Sequence, residues 1–211
     1  MNTGKLTYPF RQLGLMHLLD KTKYYYHFWK NQKLNKQFRA AHPEVKLPPD
    51  YLMYESYRLN YRKYYFGGKD NAIWLKEHFE KHIDLKNKNI LDWGCGPARV
   101  IRHLPEVFDQ NCVFYGTDYN PKTIAWCAEN IPTASFSNNG INPPLVYEND
   151  FFDLIYGISI FTHLSENNHA AWFAELMRVS KTGSVLLLTT QGEAFKQKLT
   201  EAEKQKFDRG E

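Results

Sequence analysis

From Ile90 onward short apolar runs alternate with amphipathic ones, and no other feature narrows the fold so far. The strand-like runs are NILDW (89–93), CVFYGTD (112–118), ASF (134–136), FDLIYGIS (152–159) and SVLLLTT (184–190). Helical periodicity is predicted between them over 97–107, 121–130 and about 166–181. In the last, Trp172, Leu176 and Val179 share a stripe with Phe173 and Met177 beside it, and Ser165 stands at the N-cap position. Parallel strands need long crossovers, so this alternation implies an α/β fold: a doubly wound, mostly parallel sheet with helices on both faces. Ahead of the first strand, Ala72, Leu75, Phe79 and Ile83 mark another helix that would lie on the sheet. Pro48-Pro49 places a boundary near Asp50. Residues 1–49 then read as an α-helical extension, and residues 50–211 as the α/β domain.

The first strand runs into ILDWGCGPAR at 90–99, and this turn limits what the domain binds. Backbone amides approach a ligand closely only where no Cβ intervenes, a need that Gly94 and Gly96 meet. A dinucleotide would ask for GxGxxG, but Arg99 occupies the last glycine position and Asp92 would repel a pyrophosphate. A phosphate-binding P-loop is excluded because no Gly-Lys-Ser/Thr follows. An acid here suits a cationic ligand, such as the amino group and sulfonium of S-adenosylmethionine. At the end of the next strand, in FYGTDYNP, Asp118 follows Gly96 by 22 residues. An acid at that distance accepts hydrogen bonds from ribose hydroxyls in doubly wound nucleoside sites, each worth about 1.5–3 kcal/mol. It also stands where it could cap the helix that begins near Pro121.

LDWGCGPAR resembles the first motif of the class I S-adenosylmethionine-dependent methyltransferases, Asp/Glu-x-Gly-x-Gly-x-Gly, with Ala98 where the family often has its third glycine. The similarity continues through NNGINPPLVYENDFFDLIYGISIFTHL and AWFAELMRVSKTGSVLLLTTQGE, over about residues 90–193. The resemblance implies a Rossmann-like methyltransferase sheet with S-adenosyl-L-methionine as cofactor. It assigns cofactor contacts to Asp92, Gly94, Cys95, Gly96 and Asp118, with Tyr119 beside the adenine. Asn139 to Asn142 would frame that ring, Ile141 or Asn142 standing where many relatives carry an acid, and Ser159 to His163 would leave the fourth strand beside the methyl group. Tyr57, Tyr61, Tyr64 and Tyr65 with Gly67-Gly68 stand where relatives often carry a lid, and either touch ligand or stack in the core. Arg99 is expected to anchor the turn to neighbouring carbonyls or an acid.

Methyl transfer from a sulfonium is an in-line displacement, and positioning alone can supply about 7–11 kcal/mol of its barrier. A base is needed only for a hydroxyl acceptor. The Asn/Asp-Pro-Pro-aromatic motif of many base and amide methyltransferases is absent after the fourth strand, where Tyr156 to His163 stand instead. The expected acceptor is therefore a small-molecule or glycan hydroxyl, with His163 as the candidate base at the carboxyl end of a strand. The competing functions are a cofactor-binding or interaction module without transfer activity, an RNA methyltransferase and, more distantly, a nicotinamide enzyme.

The family's sheet ends in an antiparallel hairpin, for which this sequence has no counterpart: only about twenty residues follow Thr190, and they read as helix. Either the chain is a piece of a longer one, which is favoured, or the sheet stops at five strands and leaves an edge for a partner or the extension to cover. Hydrophobic residues at 43% and charged residues at 24% are ordinary for a globular protein. Cys95, Cys112 and Cys127 are odd in number and lack metal-ligand spacing, so neither disulfides nor a metal is expected. With no secretory signal and no run of about 20 apolar residues, the cytoplasm is the expected compartment. Net charge is only +4, yet six Lys or Arg fall between Lys21 and Arg39 with no acid, interleaved with Tyr24, Tyr25, Tyr26, His27, Phe28 and Trp29. Such a segment suits nucleic acid or an anionic membrane surface. The favoured reading is a helix that packs its rings inward and exposes its lysines.

Overall fold

The computed structural model describes residues 16–108, 111–190, 196, 199 and 201–209. Three helices come first: α1 (Met16–Ala41), α2 (Asp50–Tyr57) and α3 (Tyr61–Phe79). The α/β part follows as β1 (Asn89–Trp93), a 3-10 turn (Ile101–His103), α4 (Leu104–Val107), β2 (Val113–Asp118), α5 (Pro121–Asn130), β3 (Ser135–Asn138), β4 (Phe152–Gly157), a second 3-10 turn (Phe161–His163), α6 (Glu166–Val179) and β5 (Ser180–Leu188); α7 (Glu201–Asp208) follows. All strand pairings are parallel, in the order β3-β2-β1-β4-β5. The direction of winding reverses between β1 and β4, which opens a crevice at their carboxyl ends.

Alternation along β1 builds both sides of the core. Ile90 packs with Ala72, Leu75 and Phe79 of α3 and with Ile101 and Leu104. Leu91 and Trp93 point the other way, to Trp172, Leu176 and Val179 of α6. A third cluster, Phe38, Met53, Tyr61 and Tyr64, joins α1 to α2 and α3. Burial on both faces explains why the strands read as continuous apolar runs.

Several boundaries differ from the periodicity by a few residues, and three of them have a visible cause. The helix expected over 97–107 is reduced to the 3-10 turn and α4, because Ala98 takes a left-handed conformation (φ 57°) and Pro105 lacks an amide to donate. β4 stops at Gly157, just before the left-handed Ser159 (φ 64°). β5 starts at Ser180 rather than 184. Ser180 pairs with Phe152, and the ladder then bulges around Gly183 (φ 80°) before Val185 meets Leu154. Among the described residues β5 has no strand on its outer side, and a cleft of about 730 Å³ runs along it, lined by Phe173, Met177, Gly183, Leu186 and Leu188.

Candidate active site

The turn after β1 is held open by its own backbone. Gly94 (φ 76°) and Gly96 (φ 51°) are both left-handed, a conformation that costs a residue with a Cβ about 1–2 kcal/mol. The amides of Gly94 and Cys95 both donate to the Thr117 carbonyl at 2.8 Å, which binds the turn to the end of β2. A Cβ at Gly94 would fall 2.1 Å from Ile160 Cδ1, so the segment after β4 packs directly on the turn. At Gly96 a Cβ would meet nothing within 4 Å; the turn faces open space there.

Two buried carboxylates stand on the adjoining strands. Asp118, 9% exposed, accepts from the Gly96 amide at 3.1 Å through one oxygen and from the Asn120 amide at 2.8 Å through the other. The helix-capping role falls to a nearby residue: the Asn120 side chain accepts from the Lys122 and Thr123 amides. Asp92, 4% exposed, lies opposite Tyr156 in the β1–β4 register. Burial pushes its carboxyl up to about 7; the Tyr156 hydroxyl, the Arg99 guanidinium and the Ile101 amide oppose that, and Asp118 adds to it. The buried Tyr156 hydroxyl makes no hydrogen bond of good geometry, although it lies near enough to Asp92 to favour its charged form.

The third element of the edge is the end of β3. The Asp118 carbonyl accepts from the Asn138 side chain at 2.8 Å and the Asn139 amide at 3.1 Å, which ties β2 and β3 together beside the opening. Asn139 Nδ2 donates to the Gly140 carbonyl at 2.7 Å, but its buried Oδ1 has no partner. A buried acceptor without a donor costs about 1–3 kcal/mol, and an amine from a ligand would relieve it. An open glycine turn, two acids and an orphaned amide oxygen fit a cationic nucleoside bearing hydroxyls and an exocyclic amine.

Residues 90–183 match a family model described as a methyltransferase domain. Over that stretch, a little under half of the chain, the protein is similar to methyltransferase domains. Among solved structures, a SAM-dependent methyltransferase from Aquifex aeolicus aligns with a TM-score of 0.52 at 15% identity, over 77% of this chain and 86% of that one. A TehB-like SAM-dependent methyltransferase from Corynebacterium glutamicum aligns over 57% of this chain at 22% identity, TM-score 0.47. A putative methyltransferase from Haloferax volcanii, solved with the activator Trm112, aligns over 68% at 15% identity, TM-score 0.48. The chain spans 60% and 61% of the length of these last two.

Within the matched residues, Asp92, Gly94, Cys95, Gly96, Asp118 and Asn139 lie at the carboxyl ends of β1, β2 and β3. Cys95 and Cys127 both point their thiols at the Gly96 carbonyl (3.4 and 3.5 Å), and burial pushes the Cys95 thiol well up, so it packs as a neutral group. Tyr119 follows Asp118 and is 60% exposed. Ile141 is 70% exposed at its side chain, while its carbonyl accepts from Trp172 Nε1 at 2.9 Å; that contact fastens it to α6. Ser159 is exposed and donates its amide to Thr189 Oγ1 at 2.7 Å. His163 is exposed in the second 3-10 turn, its amide bonded to the Ile160 carbonyl.

The tyrosines before the sheet divide by burial. Tyr61 and Tyr64 are core residues, and the Tyr64 hydroxyl, whose pKa burial raises, donates to the Pro97 carbonyl at 2.5 Å. Tyr57 instead carries the Arg99 guanidinium on its ring at 4.9 Å. With the Asn71 amide oxygen turned toward it, Arg99 Nη1 also donates there at 2.8 Å. Tyr156 and Thr189 were given no role from the sequence; Tyr156 follows from the β1–β4 register, and Thr189 lies just past the end of β5 at the same edge.

Proposed function

We propose that the protein transfers the methyl group of S-adenosylmethionine to a hydroxyl of a small-molecule or glycan acceptor. The observation that carries this reading is the pair of buried acids, Asp92 on β1 and Asp118 at the end of the neighbouring β2, beside a turn whose left-handed Gly96 opens to free space. Asp118 accepts from the ribose hydroxyls, and ionised Asp92 faces the cationic methionyl end. Asn139 Oδ1 accepts from the adenine amine, with the Tyr119 ring and the Ile141 backbone beside the base. The backbone of Gly94, Cys95 and Gly96 lines the approach, and Ser159 borders the reacting end.

When bound, the cofactor supplies an electrophilic methyl on a sulfonium; the chain's task is to align an acceptor with it and exclude water. A hydroxyl must lose its proton as the new bond forms, and His163, exposed after β4, takes it. A second reading, a binding module without transfer activity, draws on the β5 edge, which carries no further strand among the described residues. In either case residues 1–49 act as an extension to the domain of residues 50–211, and three free cysteines accord with a reducing cytoplasm.

Calorimetry with S-adenosylhomocysteine tests the cofactor site: binding is expected, and Asp118→Asn should weaken it at least tenfold. Uptake of labelled methyl from S-adenosylmethionine by a fractionated lysate then separates transfer from binding alone. His163→Ala should lower turnover on that fraction by about 100-fold or more while cofactor affinity stays unchanged. Unaltered turnover would remove His163 from the reaction.

A further inference from the structure

The inward-packing expectation for the aromatic helix holds for only half of its rings. Tyr24 meets Tyr54 edge-on at 5.2 Å, and Phe38 is buried with Met53, Tyr61 and Tyr64. On the opposite face Tyr25, Tyr26 and Trp29 are 50%, 59% and 66% exposed. At about 100° per residue they share that outward face with Lys33 and Lys36, and Lys30 lies at its margin with its ammonium 5.5 Å over the Tyr26 ring. These lysines are exposed, and no acid occurs between Lys21 and Arg39.

The orientation of this face is fixed. Arg58 and Leu59 are both left-handed (φ 47° and 59°), which turns their carbonyls toward α1. Asn31 Nδ2 donates to the Arg58 carbonyl at 3.0 Å and Asn35 Nδ2 to the Leu59 carbonyl at 2.7 Å, and Asn35 Oδ1 accepts from the Tyr61 amide at 3.1 Å. Three directional bonds from residues four apart lock the rotation of the helix, so the rings have no route inward.

We propose that the outward face of α1 docks on the surface of an anionic lipid bilayer. Charge complementarity requires a negative partner, and two features choose a bilayer over nucleic acid. The face is the outer side of a single helix, and neither the cleft along β5 nor the one beside Arg102 is lined by any residue of α1. Sequence-tolerant nucleic-acid binding tracks the backbone in a groove. The exposed groups are also those that headgroup layers take, Tyr and Trp rings with a polar tip beside lysines on long apolar stems. None of the described helices is long and apolar enough to cross a membrane, so the contact is one of surface docking.

The full chain should be sedimented with vesicles of phosphatidylcholine plus phosphatidylglycerol, with phosphatidylcholine vesicles in parallel. We expect binding to the first and not the second, weakening with salt. The triple change Lys30→Glu, Lys33→Glu, Lys36→Glu should weaken it about a hundredfold, and Trp29→Ala about tenfold. Both variants should keep the wild-type melting temperature and S-adenosylhomocysteine affinity, a readout that separates this proposal from the reading of the active site. Equal binding to neutral vesicles, no binding at low salt, or a triple variant that binds like wild type overturns it. So does tight, salt-sensitive binding of a single-stranded oligouridylate that the triple variant loses while vesicles are ignored.

Discussion

Replacing Asp92 by asparagine should stabilise the free protein at alkaline pH and weaken its cofactor binding at the same time. Burial raises the Asp92 carboxyl to about 7, against about 3.9 in an unfolded chain. Below about pH 4 both states hold the proton and nothing changes. Between about 4 and 7 the folded chain keeps a proton that the unfolded chain has lost, so stability falls as pH rises, by up to about 1.4 kcal/mol per unit. Above about 7 the full penalty, about 4 kcal/mol, persists. The neutral amide of Asp92→Asn would avoid it but forfeit the carboxylate's bond to the Ile101 amide and bury a new polar group, a loss of about 1–3 kcal/mol. The net gain at pH 8 is about 1–3 kcal/mol, or roughly 2–10 °C in Tm for a domain of this size, and it should vanish near pH 5. Denaturant midpoints of both proteins at pH 5 and 8 measure it. The same linkage makes wild-type affinity for S-adenosylmethionine fall about tenfold per unit below pH 7, because the cation needs the ionised acid; the variant should bind weakly at every pH. A stability difference that is the same at pH 5 and 8 would refute the claim that Asp92 is buried with a raised pKa.

Gly68→Ala should destabilise the fold although it adds a good helix former to α3: propensity favours alanine by about 1 kcal/mol, but the Cβ would fall 2.0 Å from the Arg99 carbonyl oxygen. A net loss of about 2 kcal/mol or more is expected in denaturant titration, with a parallel loss of cofactor affinity because Arg99 continues the glycine turn; a stabilised variant would show that α3 does not press on that turn. Glu175→Gln should cost about 2–3 kcal/mol. The Glu175 carboxylate accepts from Arg178 at 2.6 and 2.9 Å and from the Leu145 amide at 2.7 Å. Those Arg178 bonds lower its pKa, so this contribution is present above about pH 4.3 and lost as pH falls through the folded value, which an acid titration of wild type against the variant would detect.

What was legible in the sequence is what local chemistry decides. β1 and α5 fall on their expected residues because each boundary is written beside it: left-handed Gly94 after Trp93, and the Asn120 cap with Pro121 in the first helical turn. The placement of Asp92 and Asp118 towards the carboxyl ends of β1 and β2 was legible for the same reason, since each lies in a strand whose end is marked by the turn that follows. Where partners distant in sequence decide, the text was silent. β5 begins at Ser180 because Phe152 pairs with it and Asp153 holds Lys181 at 2.8 Å. Ile160 covers Gly94 from the far side of the crevice, a contact that no spacing rule anticipates. The aromatic helix makes the point most sharply. Its rings occur on every side, so composition cannot say which are buried; two asparagines four residues apart, each capturing a carbonyl that only a left-handed residue could present, select the buried face. Rotation of α1 is therefore a polar decision with an apolar outcome, and Tyr25, Tyr26 and Trp29 remain outside because Asn31 and Asn35 are committed inside.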